Sequence, residues 1–139
     1  MLAQKTFFSL AFVALALTVS DARAGGATIA LGEIAQPPAS SGVDRALIQS
    51  TAEGEIRQID ASKLPPRKVV VSLAVTRTTE APVICTINAM LRDERTGNML
   101  AIIEGEARSE GSGAEIKQKV ASAAVRRAVR LIPDALATK

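Results

Sequence analysis

The chain contains no histidine, tryptophan or tyrosine, and its single cysteine is Cys85. Its three phenylalanines are Phe7, Phe8 and Phe12, so no aromatic residue follows position 12. Without histidine and with one cysteine, the sequence lacks the nitrogen and sulfur ligands of a structural zinc site. Without aromatic side chains, it offers no stacking platform for sugars, bases or quaternary ammonium groups. We therefore expect neither a metal nor a cofactor.

The single cysteine also excludes a disulfide within the chain. Cys85 stands in an alternating apolar pattern, which indicates a buried thiol; a disulfide between two chains is the alternative. Packing of aliphatic side chains must therefore supply the stability of the fold.

The net charge is small, because 17 basic residues stand against 14 acidic ones. A formal charge of +3 gives no whole-molecule attraction to a polyanion. We therefore expect no nucleic-acid partner.

The first 24 residues have the layout of a secretory signal peptide. Lys5 supplies a positive charge, residues 7–19 are apolar and uncharged, and Ala-Arg-Ala at 22–24 places small residues at the cleavage positions. The apolar run is shorter than the about 20 residues of a spanning helix, which would be the alternative. Gly25 stands where a lipoprotein carries its lipidated cysteine. We predict a cleaved leader and a periplasmic or secreted product without a transmembrane segment.

Alternating side chains predict three strands in the second half of the chain. The three segments are 68–76, 82–92 and 98–108. Their period of two is typical of strands with one buried face, and the short connections favour antiparallel pairing. Gly97, in the turn at 92–98, suits a positive φ. A further strand is predicted near the N-terminus, at 28–31.

Helical spacing of apolar residues predicts helices over 43–59 and 114–132. Ser41 or Asp44 is a candidate N-cap of the first helix, and Ser112 of the second. The order β-α-β-β-β-α predicts a two-layer α+β sandwich, with a mostly antiparallel four-stranded sheet and both helices on one face. The predicted divisions are a leader at 1–24, a strand and loop at 25–42, a domain core at 43–132 and a C-terminal tail at 133–139.

This element order, with the Thr96-Gly97 hairpin and a late helix rich in Ala, Val and Arg, resembles two groups of exported modules. They are the N-terminal domain of TolB translocation proteins and the related fold of curli-secretion lipoproteins. The resemblance spans residues 28–136 and implies a small envelope module. The chain departs from these proteins because it carries neither a lipidated cysteine nor a propeller domain, and fold likeness by itself does not assign a function.

Two surfaces carry the candidate binding residues. The sheet face opposite the helices is predicted to expose apolar side chains, as a partner or dimer interface would. Its residues are Val70, Ile84, Met90, Leu100 and Ile102. The second helix is predicted to present a basic face to an anionic surface; a solvated face favoured by the helix dipole is the alternative. Its residues are Lys119, Arg126, Arg127 and Arg130.

No set of catalytic residues stands in a known motif. The candidates are two Ser–Lys pairs, Ser62 with Lys63 and Ser122 with Lys119, and one carboxylate pair, Glu104 with Glu106. We therefore expect a non-enzymatic interaction module of the envelope or the extracellular space. It would bind a protein partner, or itself, through the sheet face or a sheet edge. A small hydrolase or a small-ligand binder is the alternative.

Overall fold

The computed structural model describes residues 26–137, which form one sheet with two long helices on one of its faces; the predicted leader lies outside these residues. The strands are β1 (Thr28–Ile34), β2 (Lys68–Glu80), β3 (Val83–Asp93) and β4 (Met99–Ser109). The helices are α1 (Arg45–Arg57), α2 (Ala114–Arg130) and α3 (Ile132–Ala137), and short 3₁₀ turns occupy Ala39–Ser41 and Ala61–Lys63. The predicted α+β fold class is confirmed.

The four strands lie side by side in their order along the chain. β1 pairs with β2 in parallel, and β2–β3 and β3–β4 are antiparallel. Helix α1 is therefore the crossover between two parallel neighbours, which is the connection that parallel strands require. Each of the three pairings contains a register shift: after Leu31 in β1, after Val75 in β2, and after Leu91 opposite the start of β4.

The core lies between the sheet and the helices and is built from aliphatic side chains. β3 contributes Cys85, Ile87, Ala89 and Leu91, and α2 contributes Val120, Ala121, Ala124, Val125, Ala128 and Val129. The small alanines let α2 approach the sheet closely. At Gly105 of β4 the approach is closest, because a Cβ there would stand 2.7 Å from the backbone nitrogen of Ala128 and would also collide with the carbonyl oxygen of Ala124.

The helix starts follow local chemistry. Asp44 caps α1, since its carboxylate accepts a hydrogen bond of 3.0 Å from the backbone N–H of Ala46. Ser41 instead orders the preceding turn through its own hydroxyl. The prediction that Ser112 caps α2 is wrong: the cap position is Gly113, whose φ of 103° suits glycine, and no side chain caps it.

The C-terminal end differs from the predicted tail, because residues 132–137 form helix α3. Pro133 lies in its first turn, where the missing N–H costs nothing, so the proline starts a helix after ending the previous one. Ile132 and Leu136 are buried, and α3 packs against β4 and α2. Burial of these two side chains explains why the segment folds onto the domain.

Candidate functional site

The sheet face opposite the helices, here called the outer face, is the candidate functional site. Both long helices pack on the other face, so among residues 26–137 the outer face has no helical cover. Its side chains alternate with the buried ones of each strand. The strand register then shows which of them are neighbours.

A group of apolar side chains lies at one end of the outer face. Met90 pairs with Ser72 of β2 on one side and with Ile102 of β4 on the other. In the next row, Arg92 lies between Val70 and Met99. Ile102 is 57% exposed and Met99 49% exposed, and both count among the large apolar side chains that face solvent most in residues 26–137. We call this group the apolar patch; its members are Val70, Met90, Met99 and Ile102.

The structure brings together three of the five predicted surface residues, Val70, Met90 and Ile102. Ile84 is on the outer face but six residues from Met90 along β3, which is about 20 Å. Leu100 lies at the bulge opposite Leu91 and Arg92 and packs against the buried core. Met99 takes its place in the apolar patch. Strict alternation does not predict this exchange, because a bulge changes the face on which the residues beyond it lie, in this case Met99.

Charged side chains surround the apolar patch. Arg92 lies beside Met99, and Glu104 lies beside Asn88 one row beyond Met90 and Ile102. Lys68 lies two residues before Val70 on β2. Within residues 26–137, the side chains of Lys68, Arg92 and Glu104 make no ion pair or hydrogen bond. Their charges are therefore available to a partner.

A groove of about 210 Å³ adjoins the apolar patch on the outer face. It is lined by Glu33, Ser72, Ala74, Asn88, Met90 and Ile102, among others. Glu106, the second member of the predicted carboxylate pair, lies farther along β4, where it accepts a hydrogen bond of 3.2 Å from the Thr86 hydroxyl. The two carboxylates share this face without enclosing a cleft between them.

The predicted basic face of α2 is largely engaged within the domain. Glu55 of α1, whose side chain is only 11% exposed, faces Arg130 at 3.1 Å and Arg126 at 3.9 Å. Arg127 donates a hydrogen bond of 2.8 Å to the backbone carbonyl of Glu106. Among the described residues Lys119 makes no such contact. Three of the four cations therefore tie α2 to its neighbours.

A cleft of about 420 Å³ lies along α2 beside Leu47 of α1, and one predicted Ser–Lys pair, Lys119 and Ser122, lines it. The buried Ser122 hydroxyl lies 3.5 Å from the Thr51 hydroxyl. In the other pair, the Ser62 hydroxyl donates to the carboxylate of Asp60 at 2.6 Å. This hydrogen bond is the main cause of the lowered pKa of Asp60. Neither serine hydroxyl is directed to its lysine.

Cys85 is a buried thiol in the core, 2% exposed, and is free of disulfide bonds in the structure. Burial raises its pKa to about 11, because the thiolate would lose its hydration. A thiol in this state is a poor nucleophile at neutral pH.

Residues 26–137 contain neither a candidate membrane-spanning helix nor a candidate metal cluster. No helix in this part of the chain is long and apolar enough to cross a membrane. No three potential metal ligands among His, Cys, Asp and Glu cluster there either.

The sequence matches no protein-family model and no curated protein. Solved structures match its fold. The hypothetical protein CT253 from Chlamydia trachomatis superposes with a TM-score of 0.62 and 11% identity, over 84% of this chain and 100% of that chain. PelC from Paraburkholderia phytofirmans, solved as a dodecamer, superposes with a TM-score of 0.52 and 17% identity, over 82% of this chain and 91% of the PelC chain. At such identities the likeness shows a shared fold. The resemblance to TolB and curli-secretion proteins stays a prediction.

Proposed function

We propose that this chain is an exported, non-enzymatic module that binds a protein through its outer face. One observation carries the proposal: a group of apolar side chains stands on a sheet face that no helix of the described chain covers. Sheets of two-layer α+β folds usually turn polar side chains to water on this side. Here Met99 and Ile102 are about half exposed instead.

Burial of this patch by a partner would favour association. Burying a large aliphatic side chain completely contributes about 1.5–3 kcal/mol. Met99 and Ile102 retain about half of their exposure, and Val70 and Met90 retain less. Together they offer a few kcal/mol to a partner that covers them. Small clusters of this kind supply most of the energy of protein interfaces.

The outer face also has the size of an interface. The four strands contain 7, 13, 11 and 11 residues, and at a rise of about 3.3 Å and a spacing of about 4.8 Å they cover about 670 Å². A standard interface buries about 800 Å² on each partner, which a sheet face of this size and its rim provide.

The remaining parts of the proposal have separate support. Export follows from the leader-like sequence at 1–24. A non-enzymatic role agrees with the lack of histidine and with the Ser62 and Ser122 hydroxyls, which contact Asp60 and Thr51. PelC, which shares the fold, was solved as a dodecamer, so this fold has been used for subunit contacts in at least that protein.

A pair of matched variants tests the proposal. Ile102→Glu places a charge in the apolar patch, and Leu131→Glu makes the same change at the end of α2, on the helical side, where the side chain is 45% exposed. Each full-length chain is produced in a host that exports it, and the size of its native assembly is measured. Circular dichroism verifies that both variants fold.

We expect wild type and Leu131→Glu to migrate above the mass of one chain, and Ile102→Glu to migrate as one chain. An Ile102→Glu variant that keeps the wild-type assembly would contradict the proposal. Loss of the assembly in both variants would also contradict it, because the effect would then not belong to the outer face.

A further inference from the structure

We infer that the protein bound on the outer face is a second copy of this chain, packed face to face about a two-fold axis that lies between the two sheets and runs roughly along the Met90–Ile102 row. This inference rests on the proposed function and names the partner. Its basis is the arrangement of charges around the apolar patch, which is complementary to itself.

The first complementary pair is Arg92 and Glu104. Arg92 lies two residues from Met90 on β3, and Glu104 lies two residues from Ile102 on β4, in the opposite direction. Because Met90 and Ile102 are directly paired, the point between them is midway between Arg92 and Glu104, about 7 Å from each. A two-fold axis that lies between the two sheets above that point, perpendicular to the line from Arg92 to Glu104, places Arg92 of each copy opposite Glu104 of the other copy.

The same axis also produces a second complementary pair, Lys68 and Glu106. Glu106 lies one row beyond Glu104 on β4, and Lys68 lies one row beyond Val70 on β2, past Arg92. The axis that joins Arg92 to Glu104 also turns Glu106 of one copy toward Lys68 of the other. One rotation therefore places Arg92 and Lys68 of each copy opposite Glu104 and Glu106 of the other copy. Symmetric pairs of this kind are the pattern of an isologous interface.

The apolar patch lies at the centre of this arrangement. Met90 faces Met90 of the second copy and Ile102 faces Ile102, while the charged pairs flank them. Two packed sheets lie about 10 Å apart, which aliphatic side chains from both faces fill. The axis also brings Glu33 of the edge strand toward its own copy, at the rim of the interface.

Most of the charges in these pairs have no partner within the described residues. In residues 26–137, the side chains of Lys68, Arg92 and Glu104 make no ion pair or hydrogen bond, and Glu106 accepts one hydrogen bond from Thr86. On the helical side, by contrast, Arg126 and Arg130 share the carboxylate of Glu55. The charges around the apolar patch are therefore available to a complementary surface.

Charge-swap variants test the inference by sedimentation equilibrium of the exported full chain. We measure Arg92→Glu, Glu104→Arg and their equimolar mixture. Each single variant opposes like charges at two places in its own dimer, which weakens association by at least about 100-fold. In the mixture, a copy of each kind meets opposite charges at both places. We expect a heterodimer of near wild-type affinity. Lys119→Glu, the same reversal of a cation on the helical side of the domain, is the control and should not weaken the dimer.

A monomeric wild type would overturn the inference, as would single variants that dimerise like wild type or a mixture that stays monomeric. If the isolated chain is monomeric while the larger assembly still depends on Ile102, the partner is another protein: the inference then fails and the proposed function stands. If Ile102→Glu leaves every assembly unchanged, both fail.

Discussion

The close approach of α2 to β4 predicts that adding a side chain at Gly105 destabilises the fold. A Cβ at Gly105 would lie 2.7 Å from the backbone nitrogen and 2.9 Å from the Cβ of Ala128, and it would also collide with the carbonyl oxygen of Ala124. Ordinary contacts begin near 3.4 Å, so the helix backbone has to move by about half an ångström or more over a core that is already packed. Overpacking of this kind costs about 1–3 kcal/mol. We therefore expect Gly105→Ala to lower the free energy of unfolding by at least about 2 kcal/mol.

Gly54 provides a matched control for this prediction. It lies inside α1, and a Cβ there would meet nothing within 4 Å. Alanine is about 1 kcal/mol more favourable than glycine in a helix interior, so Gly54→Ala should raise stability by up to that amount. The same substitution is thus expected to have opposite signs at two positions. A difference of about 3 kcal/mol between the variants would follow.

Urea denaturation followed by far-UV circular dichroism measures both variants. Fluorescence is unsuitable, because no tryptophan or tyrosine is present. A Gly105→Ala variant as stable as wild type would refute the close packing of α2 on β4. A Gly54→Ala variant that loses stability would refute the open surroundings of that residue.

Three further predictions concern single side chains. Glu55→Gln should lower the free energy of unfolding by about 1 kcal/mol in urea, because Arg126 and Arg130 lose their shared carboxylate; equal stability would show that this contact contributes nothing. Asp44→Ala should lower the free energy of unfolding by about 1 kcal/mol through loss of the α1 cap, whereas Asp44→Ser, which keeps a capping oxygen, should lower it much less. The raised pKa of Cys85, about 11 against 9.0, means that the fold keeps a proton which the unfolded chain releases. The free energy of unfolding should therefore fall between about pH 9 and pH 11, and it should fall more steeply with pH in wild type than in Cys85→Ala. The same dependence on pH in both proteins would contradict the buried thiol.

Local patterns in the sequence located the four strands and the two long helices, although β1 extends to Ile34 rather than to 31 and β2 to Glu80 rather than to 76. The alternation at 82–92 predicted β3 to within one residue at each end, because β3 is a central strand with a continuously buried face. Asp44 was one of two candidate caps and is the one used. The segment after Pro133 was misjudged, since a proline that ends one helix also suits the first turn of the next.

The candidate site depended on features that no local pattern contains. The bulge after Leu91 directs Leu100 to the core and brings Met99 to the outer face, and nothing in the sequence at 98–102 marks it. Likewise, the predicted basic face of α2 depended on spacing alone. The carboxylate that engages it, Glu55, belongs to a helix some 70 residues earlier, and only the tertiary fold brings the two together.

The most direct test of the central claim is to place a photo-crosslinking amino acid at Ile102 and, separately, at Leu131 of the chain in the cells that export it. Both side chains are about half exposed, so the probe itself is tolerated equally at either position. We predict a discrete protein adduct from position 102, with twice the mass of one chain, and none from position 131. No adduct from position 102, or the same adducts from both positions, would contradict protein binding at the outer face.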